Sequence, residues 1–482
     1  MAPLAEITIS ARGPGLPSTT AAADSPAAEG VWSGPFVWPL EAVHLTLLPD
    51  KRVLAWSSGY GPAVVWDPAN DSFRTLPPTR NKLFCSGHSF LSDGRVLVAG
   101  GHLNSTPSGN GSPDLNIFDY GTNTWVTGPR LATARWYPGT TTLPTGEVLV
   151  LSGQVSKTKN SKFPEVWQTD GTLRTLSTAK RGLPAYPRTH VAPDGRVFVA
   201  GPKADARYLN PSGTGAWSDA PDPAVGDRDY GTSVMYAEGK VLIVGGGGRK
   251  SPAQPTNTAE IIDLVAGGGW RLTNPMTFAR RQLNATILAD GKVLVTGGSS
   301  ASGFNNPDSS VLAAEIWDPA TELWTTVASM KVRRLYHSTA ILLPDGRVLS
   351  AGGNDTAGGE SASKQHKDAE IYSPPYLFNP DGTEATRPAL TSSPLRVGYG
   401  ETFFIETPDA DRIVRVNWIR LSSVTHAFNE TQRLSSLSFT PVDGGLNVTA
   451  PASANLAPPG PYMLFLVDAD GVPSVAPIIL IN

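Results

Sequence analysis

Seven positions of the sequence share one spacing, and several carry side chains that can bind a metal or take part in redox chemistry. Each lies nine residues before the glycine of a turn, or before Lys51 in the first case: Ala42, Cys85, Tyr137, Tyr186, Tyr230, Gln282 and His337. The set holds the one cysteine of the chain, three phenols and an imidazole. Imidazole and phenolate ligands suit a copper ion of tetragonal geometry. The alternative is structural, with tyrosines that fill a channel around a buried, apolar cysteine.

These positions belong to a hairpin signature that recurs along the chain. An apolar strand, a two-residue turn such as Asp93-Gly94, a second apolar strand and often a Gly-Gly pair make up each copy. An apolar-aromatic-Asp segment such as Ile316-Trp317-Asp318 follows most copies. The repeat of about 43 to 55 residues is the length of a four-stranded, kelch-like propeller blade. Seven copies predict seven blades, and the seven positions then meet at one mouth of the central channel.

The sequence divides into three parts. Residues 1–30 are rich in small residues and lack periodicity, which predicts a flexible N-terminal tail. The repeats predict a propeller over residues 31–385. The hairpin signature stops after Pro374-Pro375, and about seven short strands over residues 386–482 are typical of an immunoglobulin-like sandwich. The predicted fold class is all-β, a seven-bladed kelch-like β-propeller followed by an immunoglobulin-like β-sandwich.

Composition excludes some classes of partner. The chain has 482 residues, a formal net charge of −3 and 17% charged residues, so it offers no basic surface for a nucleic acid backbone. It contains no run of about 18 apolar residues that could cross a bilayer. A single cysteine excludes an intrachain disulfide. We therefore expect neither a nucleic acid nor a membrane partner.

Four motifs follow one another along the chain: Phe84-Cys85, Arg135-Trp136-Tyr137, Tyr336-His337, and Ser423-Val424-Thr425-His426 followed by Gln432-Arg433. In this order and setting they resemble the galactose oxidase and glyoxal oxidase family of copper radical oxidases. The resemblance runs from about residue 31 to the C-terminus.

The resemblance implies one copper ion held by Tyr137, Tyr336, His337 and His426. It also implies a thioether between Cys85 and Tyr137, which together form a tyrosyl radical cofactor. His426 would come from the C-terminal domain. This arrangement would explain why a sandwich domain is joined to a closed propeller.

The same resemblance implies oxidation of an alcohol or aldehyde with reduction of O2 to H2O2. Tyr336 would take the substrate proton, and the Tyr137 radical would take a hydrogen from the adjacent carbon. The chain departs from galactose oxidase, because Gln154-Val155-Ser156, without an aromatic residue, stands where a tryptophan stacks on the thioether, and the galactose-binding arginine has no clear counterpart. We therefore expect a glyoxal oxidase-like enzyme that acts on a small aldehyde, as its hydrate, or on a primary alcohol. Six residues are expected to line the substrate pocket or shield the radical: Phe84, Trp136, Tyr186, Arg188, Tyr230 and Phe304.

The expected location is extracellular, because the family that the chain resembles is largely extracellular. Met1–Glu6 lacks the basic and apolar regions of a signal peptide, so the sequence itself shows no leader. The expected partners are the small substrate and O2, and we expect a monomer.

Two other functions are consistent with the sequence. One is a non-catalytic kelch-type module that binds a protein or a glycan through its blade loops. The other is a degenerate member of the family that binds copper and cannot hold the radical. The variant Cys85→Ser separates the first alternative, because a binding module does not need this thiol.

Overall fold

The computed structural model describes residues 25–58, 61–103, 110–248, 254–356 and 364–482. Residues 1–24 of the predicted tail lie outside these ranges. At the end of that segment, Pro26–Glu29 forms a short α-helix, the one α-helix within the described ranges. Short 3-10 helices cover Pro307–Ser309, Pro375–Leu377 and Ala410–Arg412. No helix in the described part of the chain is long and apolar enough to cross a membrane.

Seven sheets form the propeller, and each is built from four antiparallel strands as the repeats predict. The first strands of neighbouring blades contact one another and therefore line the central channel. Blades 1 to 3 consist of His44–Leu47, Val53–Trp56, Val64–Asp67 and Ser72–Thr75; of Lys82–Phe90, Val96–His102, Ser112–Asp119 and Thr124–Arg135; and of Gly139–Thr142, Val148–Leu151, Glu165–Trp167 and Leu173–Thr175. Blades 4 and 5 consist of Arg188–Val191, Val197–Gly201, Arg207–Asn210 and Ala216–Asp219; and of Thr232–Ala237, Lys240–Val244, Ala259–Asp263 and Arg271–Thr273. Blade 6 consists of Arg281–Ile287, Val293–Ser299, Ala313–Trp317 and Trp324–Ser329.

Blade 7 closes the ring with a strand from the other end of the chain. Its three inner strands are Ser338–Leu342, Val348–Gly352 and Asp368–Ser373, and its outer strand is Val31–Val37. The outer strand pairs antiparallel with the third, with Trp32 opposite Tyr372. The Trp32 indole N–H also donates to the Ala328 carbonyl, 2.8 Å away on the outer strand of blade 6. The first strand of the propeller therefore completes its last blade.

The hairpin turns are stabilised by a repeated side-chain contact. In Asp93-Gly94-Arg95 the aspartate accepts a hydrogen bond from the backbone N–H of Arg95 and a second from its guanidinium. Gly94 has a φ of 89°, a left-handed conformation that glycine adopts without steric cost. The same Asp-Gly-Arg arrangement recurs at residues 194–196 and 345–347. These local contacts explain why the turn signature marks the blades so regularly.

A buried ion pair braces the segment that leads into the channel in four blades. An arginine two or three residues before the shared position pairs with a glutamate on the third strand: Arg135–Glu165, Arg228–Glu260, Arg280–Glu315 and Arg334–Glu370. The Arg280–Glu315 pair is the shortest of the four, at 2.5 Å, and both side chains are fully buried. Each pair ties the start of an innermost strand to the middle of its blade.

Replacing Glu315 by alanine is expected to lower the free energy of unfolding by about 3–5 kcal/mol, because the substitution leaves the Arg280 charge buried without its partner. Urea unfolding followed by tryptophan fluorescence measures the change. The matched control is Asp219→Ala, which removes a carboxylate that is 96% exposed and lies 3.6 Å from Arg207. The control should change stability by no more than about 0.5 kcal/mol. Equal effects of the two substitutions would contradict the assignment of the buried pair as a brace.

The C-terminal part forms a two-sheet sandwich, as its strand pattern predicts. One sheet contains Arg396–Val397, Ile478–Ile481, Gly460–Asp468, Ile413–Arg420 and Leu434–Leu437, and the other contains Thr402–Glu406, Gly445–Thr449 and Phe439–Val442. A separate apolar core that includes Trp418, Leu464 and Ile479 lies between the sheets. Both features of the predicted fold class, the seven-bladed propeller and the immunoglobulin-like sandwich, are confirmed.

A hairpin of the sandwich part enters the channel. Its strands Ser423–Thr425 and Phe428–Asn429 extend the sheet of blade 1, with Thr425 opposite His44. Past the hairpin, Gln432 exchanges hydrogen bonds with both backbone groups of Ile287 on blade 6. Contacts with the first strands of several blades fix the hairpin on the channel axis. A smaller two-stranded sheet, Gln154–Ser156 with Lys159–Asn160, lies beside the same mouth, since Gln154 pairs with Trp136.

Candidate active site

The shared positions have an unusual backbone conformation. Six of the seven, all except Ala42, have a positive φ, between 43° and 69°. This left-handed conformation costs a non-glycine residue roughly 1–2 kcal/mol, and such strain concentrates at functional sites. Three of these residues donate a backbone N–H to the carbonyl of the equivalent residue in the preceding blade: Tyr137 to Cys85, Tyr186 to Tyr137, and Gln282 to Tyr230. The equivalent positions therefore do form a ring, and hydrogen bonds link three of its neighbouring pairs.

Two phenols and two imidazoles meet inside this ring. The hydroxyl oxygens of Tyr137 and Tyr336 lie 2.9 Å apart. The His337 ring stacks on Tyr336, with the ring centroids 3.9 Å apart. The inserted hairpin carries His426 into the same space, with its ring centroid 4.7 Å from that of His337 and 5.1 Å from that of Tyr137. The structure therefore brings together all four residues that the family resemblance assigns to copper.

Cys85 lies in direct contact with this group. Its sulfur is 3.6 Å from Nε2 of His426, and its side chain packs with Tyr137 in one small apolar cluster. The Cys85 sulfur and the ligand nitrogens of His337 and His426 all lie within 4.8 Å of one another, and all three residues are buried. Atoms that share one metal ion have a similar spacing. The thiol thus borders both the candidate metal position and the ring of Tyr137.

The His426 ring is oriented by its neighbour in the chain. The Thr425 hydroxyl donates its one hydrogen to the Val43 carbonyl, 2.9 Å away. The same oxygen lies 2.6 Å from Nδ1 of His426, so Nδ1 is the donor in that contact and carries the ring proton. Nε2 is left with a free lone pair on the side of Cys85. Metal-binding histidines commonly donate their second ring nitrogen in this way.

Replacing Thr425 by valine is expected to weaken copper binding by about 10- to 100-fold, because Nδ1 of His426 loses its acceptor while the side chain keeps its shape. Titration of the apo-protein with Cu(II) against a competing chelator measures the affinity. The control is Thr425→Ser, which retains the hydroxyl and should bind copper like the unchanged protein. Full affinity in the valine variant would show that the hydroxyl does not orient His426.

A buried carboxylate faces the other imidazole. Oε1 of Glu41 lies 3.6 Å from Nδ1 of His337, and neither side chain is exposed. The other carboxylate oxygen accepts a hydrogen bond of 3.1 Å from Ser58. Sequence analysis did not identify Glu41, although it directly precedes the shared position Ala42. Its place on His337 leaves Nε2 of that ring as the nitrogen available to a metal.

Burial sets the protonation of the cluster. Removal from water raises the pKa of Tyr137 and of Tyr336 well above the ordinary value for a phenol. It lowers the pKa of His426 well below its ordinary value, and the nearby His337 adds to this effect. Neutral imidazole is the form that binds metals, whereas the phenols need a positive charge beside them in order to ionise. A neutral His426 imidazole and two phenols that depend on a cation fit a cupric ion.

A cavity of about 360 Å³ is lined by three of the four residues, Tyr137, Tyr336 and His426. Its other walls include Gln154, Ala185, Tyr186, Arg188, Pro202, Asp229, Tyr230 and Phe304. Four of the six residues that were predicted for the pocket or for shielding thus line this cavity. Asp229 was not predicted; it pairs with Arg281 at 3.0 Å and places a carboxylate on the wall.

The other two predicted residues lie behind the cluster rather than in the cavity. Phe84 stands edge-on to His337, with ring centroids 5.4 Å apart. Trp136 packs on Tyr137 at 4.5 Å, with an angle of 41° between the rings, and contacts His102 on its other side at 4.4 Å. The backbone of Gln154 pairs with that of Trp136. Gln154 lacks an aromatic side chain, but it contacts Trp136, the residue that packs on Tyr137.

Three further buried histidines, His44, His88 and His190, lie on first strands of blades, and two of them are next to the cluster. Nδ1 of His44 lies 3.3 Å from Nε2 of His88, and Nε2 of His44 accepts the backbone N–H of Cys85 at 3.1 Å. His190 instead contacts the Ser233 hydroxyl at 2.8 Å. Burial lowers the pKa of His88 to about 4, so its ring is neutral at physiological pH.

Comparison with known proteins identifies the family. The glyoxal oxidase N-terminus matches residues 253–376, and the galactose oxidase-like early set domain matches residues 387–481. The structure aligns with that of a fungal alcohol oxidase solved in complex with copper, with a TM-score of 0.84, 27% identity, and coverage of 94% of this chain and 99% of the other. A galactose oxidase of Gibberella zeae is 30% identical over an alignment 496 positions long, gaps included, which covers 94% of this chain and 71% of the relative. The chain belongs to the copper radical oxidase family.

This copper radical oxidase is also similar to a plant enzyme. The aldehyde oxidase GLOX of Vitis pseudoreticulata is 30% identical over 483 aligned residues, which cover 92% of this chain and 90% of the relative. The resemblance noted in the motifs is therefore confirmed, and the protein is a copper oxidase that acts with O2 on small alcohols or aldehydes. The roles assigned to individual residues remain predictions.

Proposed function

We propose that the protein oxidises small aldehydes, as their hydrates, or primary alcohols with O2, through copper held by Tyr137, Tyr336, His337 and His426. One observation carries the proposal: two phenol oxygens 2.9 Å apart adjoin two buried imidazoles and the single thiol, at the end of a cavity. When bound, copper supplies a Lewis acid for the substrate oxygen and a one-electron acceptor. A binding module has no need for this combination.

The proposed organic cofactor is a thioether between Cys85 and a ring carbon of Tyr137. Its formation breaks the S–H bond and one ring C–H bond, forms one C–S bond, and transfers two electrons and two protons to O2, which becomes H2O2. The contact between the Cys85 and Tyr137 side chains supports this reaction. A further oxidation of the linked Tyr137, in which O2 takes one electron and the phenolic proton is released, would produce the radical. Trp136, packed on the Tyr137 ring, is proposed to shield it from water.

In turnover, the two phenols divide the hydrogens of the substrate. Tyr336, as phenolate, accepts the proton of the substrate hydroxyl. The Tyr137 radical accepts a hydrogen atom from the carbon that bears this hydroxyl. Their hydroxyl oxygens are 2.9 Å apart. One substrate molecule can therefore place its hydroxyl near Tyr336 and the adjacent carbon near Tyr137. Two electrons and two protons leave the substrate in each cycle, and O2 takes them to form H2O2.

The cavity supports a small substrate. A space of about 360 Å³ lies at the lower end of the range for ligand pockets. The aromatic rings of Tyr186, Tyr230 and Phe304 supply apolar walls, and Arg188 donates to the backbone carbonyls of Gly231, Tyr186 and His426. We infer that glyoxal oxidase-like substrates fit better than galactose. The protein is further proposed to be an extracellular monomer, with the propeller over residues 31–385 and the metal-ligating C-terminal domain over residues 386–482.

The test begins with the cofactor. The apo-protein is loaded with Cu(II) in air, reduced, denatured and digested, and the peptides that contain Cys85 and Tyr137 are mapped by mass. We expect a linked pair that is lighter by two hydrogens, followed by H2O2 formation with small aldehydes and alcohols. Peroxide formation with galactose in preference to these would overturn the substrate proposal. A copper-saturated protein whose Cys85 still reacts with an alkylating agent would overturn the cofactor and favour a degenerate relative that binds copper only.

A further inference from the structure

Cys85 differs from the three ring residues whose backbone N–H groups bond to the preceding blade. Tyr137, Tyr186 and Gln282 each donate their backbone N–H to the carbonyl of the equivalent residue in the preceding blade. For Cys85 that residue is Ala42. The Cys85 N–H instead donates to a side chain, Nε2 of His44, over 3.1 Å.

The strand that carries Cys85 cannot supply this acceptor. In blade 2 the pairing of the first two strands is regular from Ser86 to Phe90, but the register shifts between Lys82 and Ser86. Cys85 lies inside this irregularity, with a φ of 57°. A buried backbone N–H that leaves the strand ladder needs another acceptor. The acceptor that the structure provides is the His44 ring.

The His44 ring is itself fixed on three sides. It stacks on the Trp56 indole, with centroids 4.6 Å apart and an angle of 12° between the planes. Because Nε2 accepts from Cys85, the ring proton lies on Nδ1, which points to Nε2 of His88 at 3.3 Å. The Trp56 indole N–H donates to the Leu83 carbonyl at 3.0 Å, just before Cys85. His44 and Trp56 together hold both sides of the irregular segment.

The backbone of His44 also positions the metal-binding hairpin. His44 lies opposite Thr425 in the strand ladder that brings His426 into the channel. A single residue therefore contacts Cys85 through its ring and the hairpin through its strand.

We propose that His44 is a positioning residue for Cys85. The His44 ring holds the strained Cys85 backbone so that the Cys85 thiol faces Tyr137 when the thioether forms. The inference rests on the proposed thioether. His44 does not bind copper in this proposal and does not touch the substrate. Its role is confined to formation of the C–S bond, with O2 as the acceptor of two electrons and two protons as described above.

The experiment measures the rate of thioether formation after apo-protein is mixed with Cu(II) in air. Two quantities are recorded over time: the amount of thiol that still reacts with an alkylating agent, and the mass of the linked peptides, which falls by two hydrogens. For His44→Ala we expect formation to be about tenfold slower or more, because a buried N–H loses its acceptor. For His44→Gln, whose amide oxygen can accept the same N–H, we expect a smaller defect. The control His190→Ala removes a buried imidazole that contacts Ser233 and the edge of Phe428 but not Cys85, and it should form the thioether at the unchanged rate.

Two further measurements make the outcome decisive. Copper affinity of His44→Ala should stay within a few-fold of the unchanged protein, so a large loss of affinity would overturn a role confined to Cys85. The second measurement is hydrogen exchange at the Cys85 amide of the unchanged apo-protein, which needs no variant. We expect this amide to be strongly protected. Rapid exchange there would overturn the proposal even if His44→Ala does not fold. Thioether formation at the unchanged rate in folded His44→Ala would also overturn it. If the unchanged protein forms no thioether, the proposed function itself fails, which this comparison reveals at once.

Discussion

Replacing Cys85 by serine is expected to reduce peroxide formation by about 10³-fold or more, equivalent to about 4 kcal/mol in activation free energy. Serine has nearly the same size but cannot form the C–S bond, so Tyr137 remains an ordinary buried phenol. Burial raises the pKa of this phenol, and nothing then lowers the cost of removing an electron from it. The rate is measured by coupled detection of H2O2 with a small aldehyde and with a primary alcohol.

The control for this variant is its copper site. Cys85 is not among the four proposed ligands, so Cu(II) affinity and thermal stability should change little. Both quantities are measured on the same preparation. A serine variant that binds copper and still produces peroxide at a tenth of the original rate or more would show that the thioether is not the redox cofactor.

Replacing Tyr336 by phenylalanine is expected to lower kcat by about 10²- to 10⁴-fold, the usual contribution of a positioned acid or base. The substitution keeps the ring that stacks on His337 and removes the oxygen that lies 2.9 Å from the Tyr137 hydroxyl. Assays are run at saturating copper, because one proposed ligand is also lost. The linked Cys85–Tyr137 peptide should still form, which separates loss of proton transfer from loss of the cofactor.

A second tyrosine provides the comparison for Tyr336→Phe. Tyr372 is also buried, and its hydroxyl donates to the Glu29 carbonyl at the outer edge of blade 7. Tyr372→Phe should leave kcat unchanged at saturating copper. Turnover within tenfold of the original rate in Tyr336→Phe would rule out Tyr336 as the base.

The propeller and half of the site follow from local sequence patterns. The turn chemistry of Asp-Gly and the apolar strands around it depend on neighbouring residues, so seven copies are visible without knowledge of the fold. Because equivalent positions of a closed ring face one axis, the spacing alone brings Cys85, Tyr137 and His337 together. The family motifs add Tyr336 and His426. All of these residues meet in the structure.

The remaining features depend on contacts between distant parts of the chain. Val31–Val37 pairs with a strand more than 330 residues later, and nothing in its own sequence distinguishes the last blade from the first. Glu41 acts on His337 only because blades 1 and 7 are neighbours in the closed ring. The proton position on His426 depends on the Val43 carbonyl, which belongs to another domain. No periodic pattern encodes contacts of this kind.

The positions of Phe84 and Trp136 show a further limit. Both directly precede a ring residue of left-handed backbone conformation, and neither lines the cavity. Trp136 packs on the Tyr137 ring, whereas Phe84 stands against His337. Simple alternation along a strand therefore does not apply at these positions.

The hairpin at residues 423–429 has a consequence for synthesis of the protein. Cys85 and His426 touch although 341 residues separate them, so a ribosome has translated nearly the whole chain before the last of the proposed ligands exists. Until then the proposed metal position lacks one of its imidazoles. With the proposed ligand set, copper chemistry therefore begins only after the C-terminal domain has been synthesised and its hairpin has entered the channel.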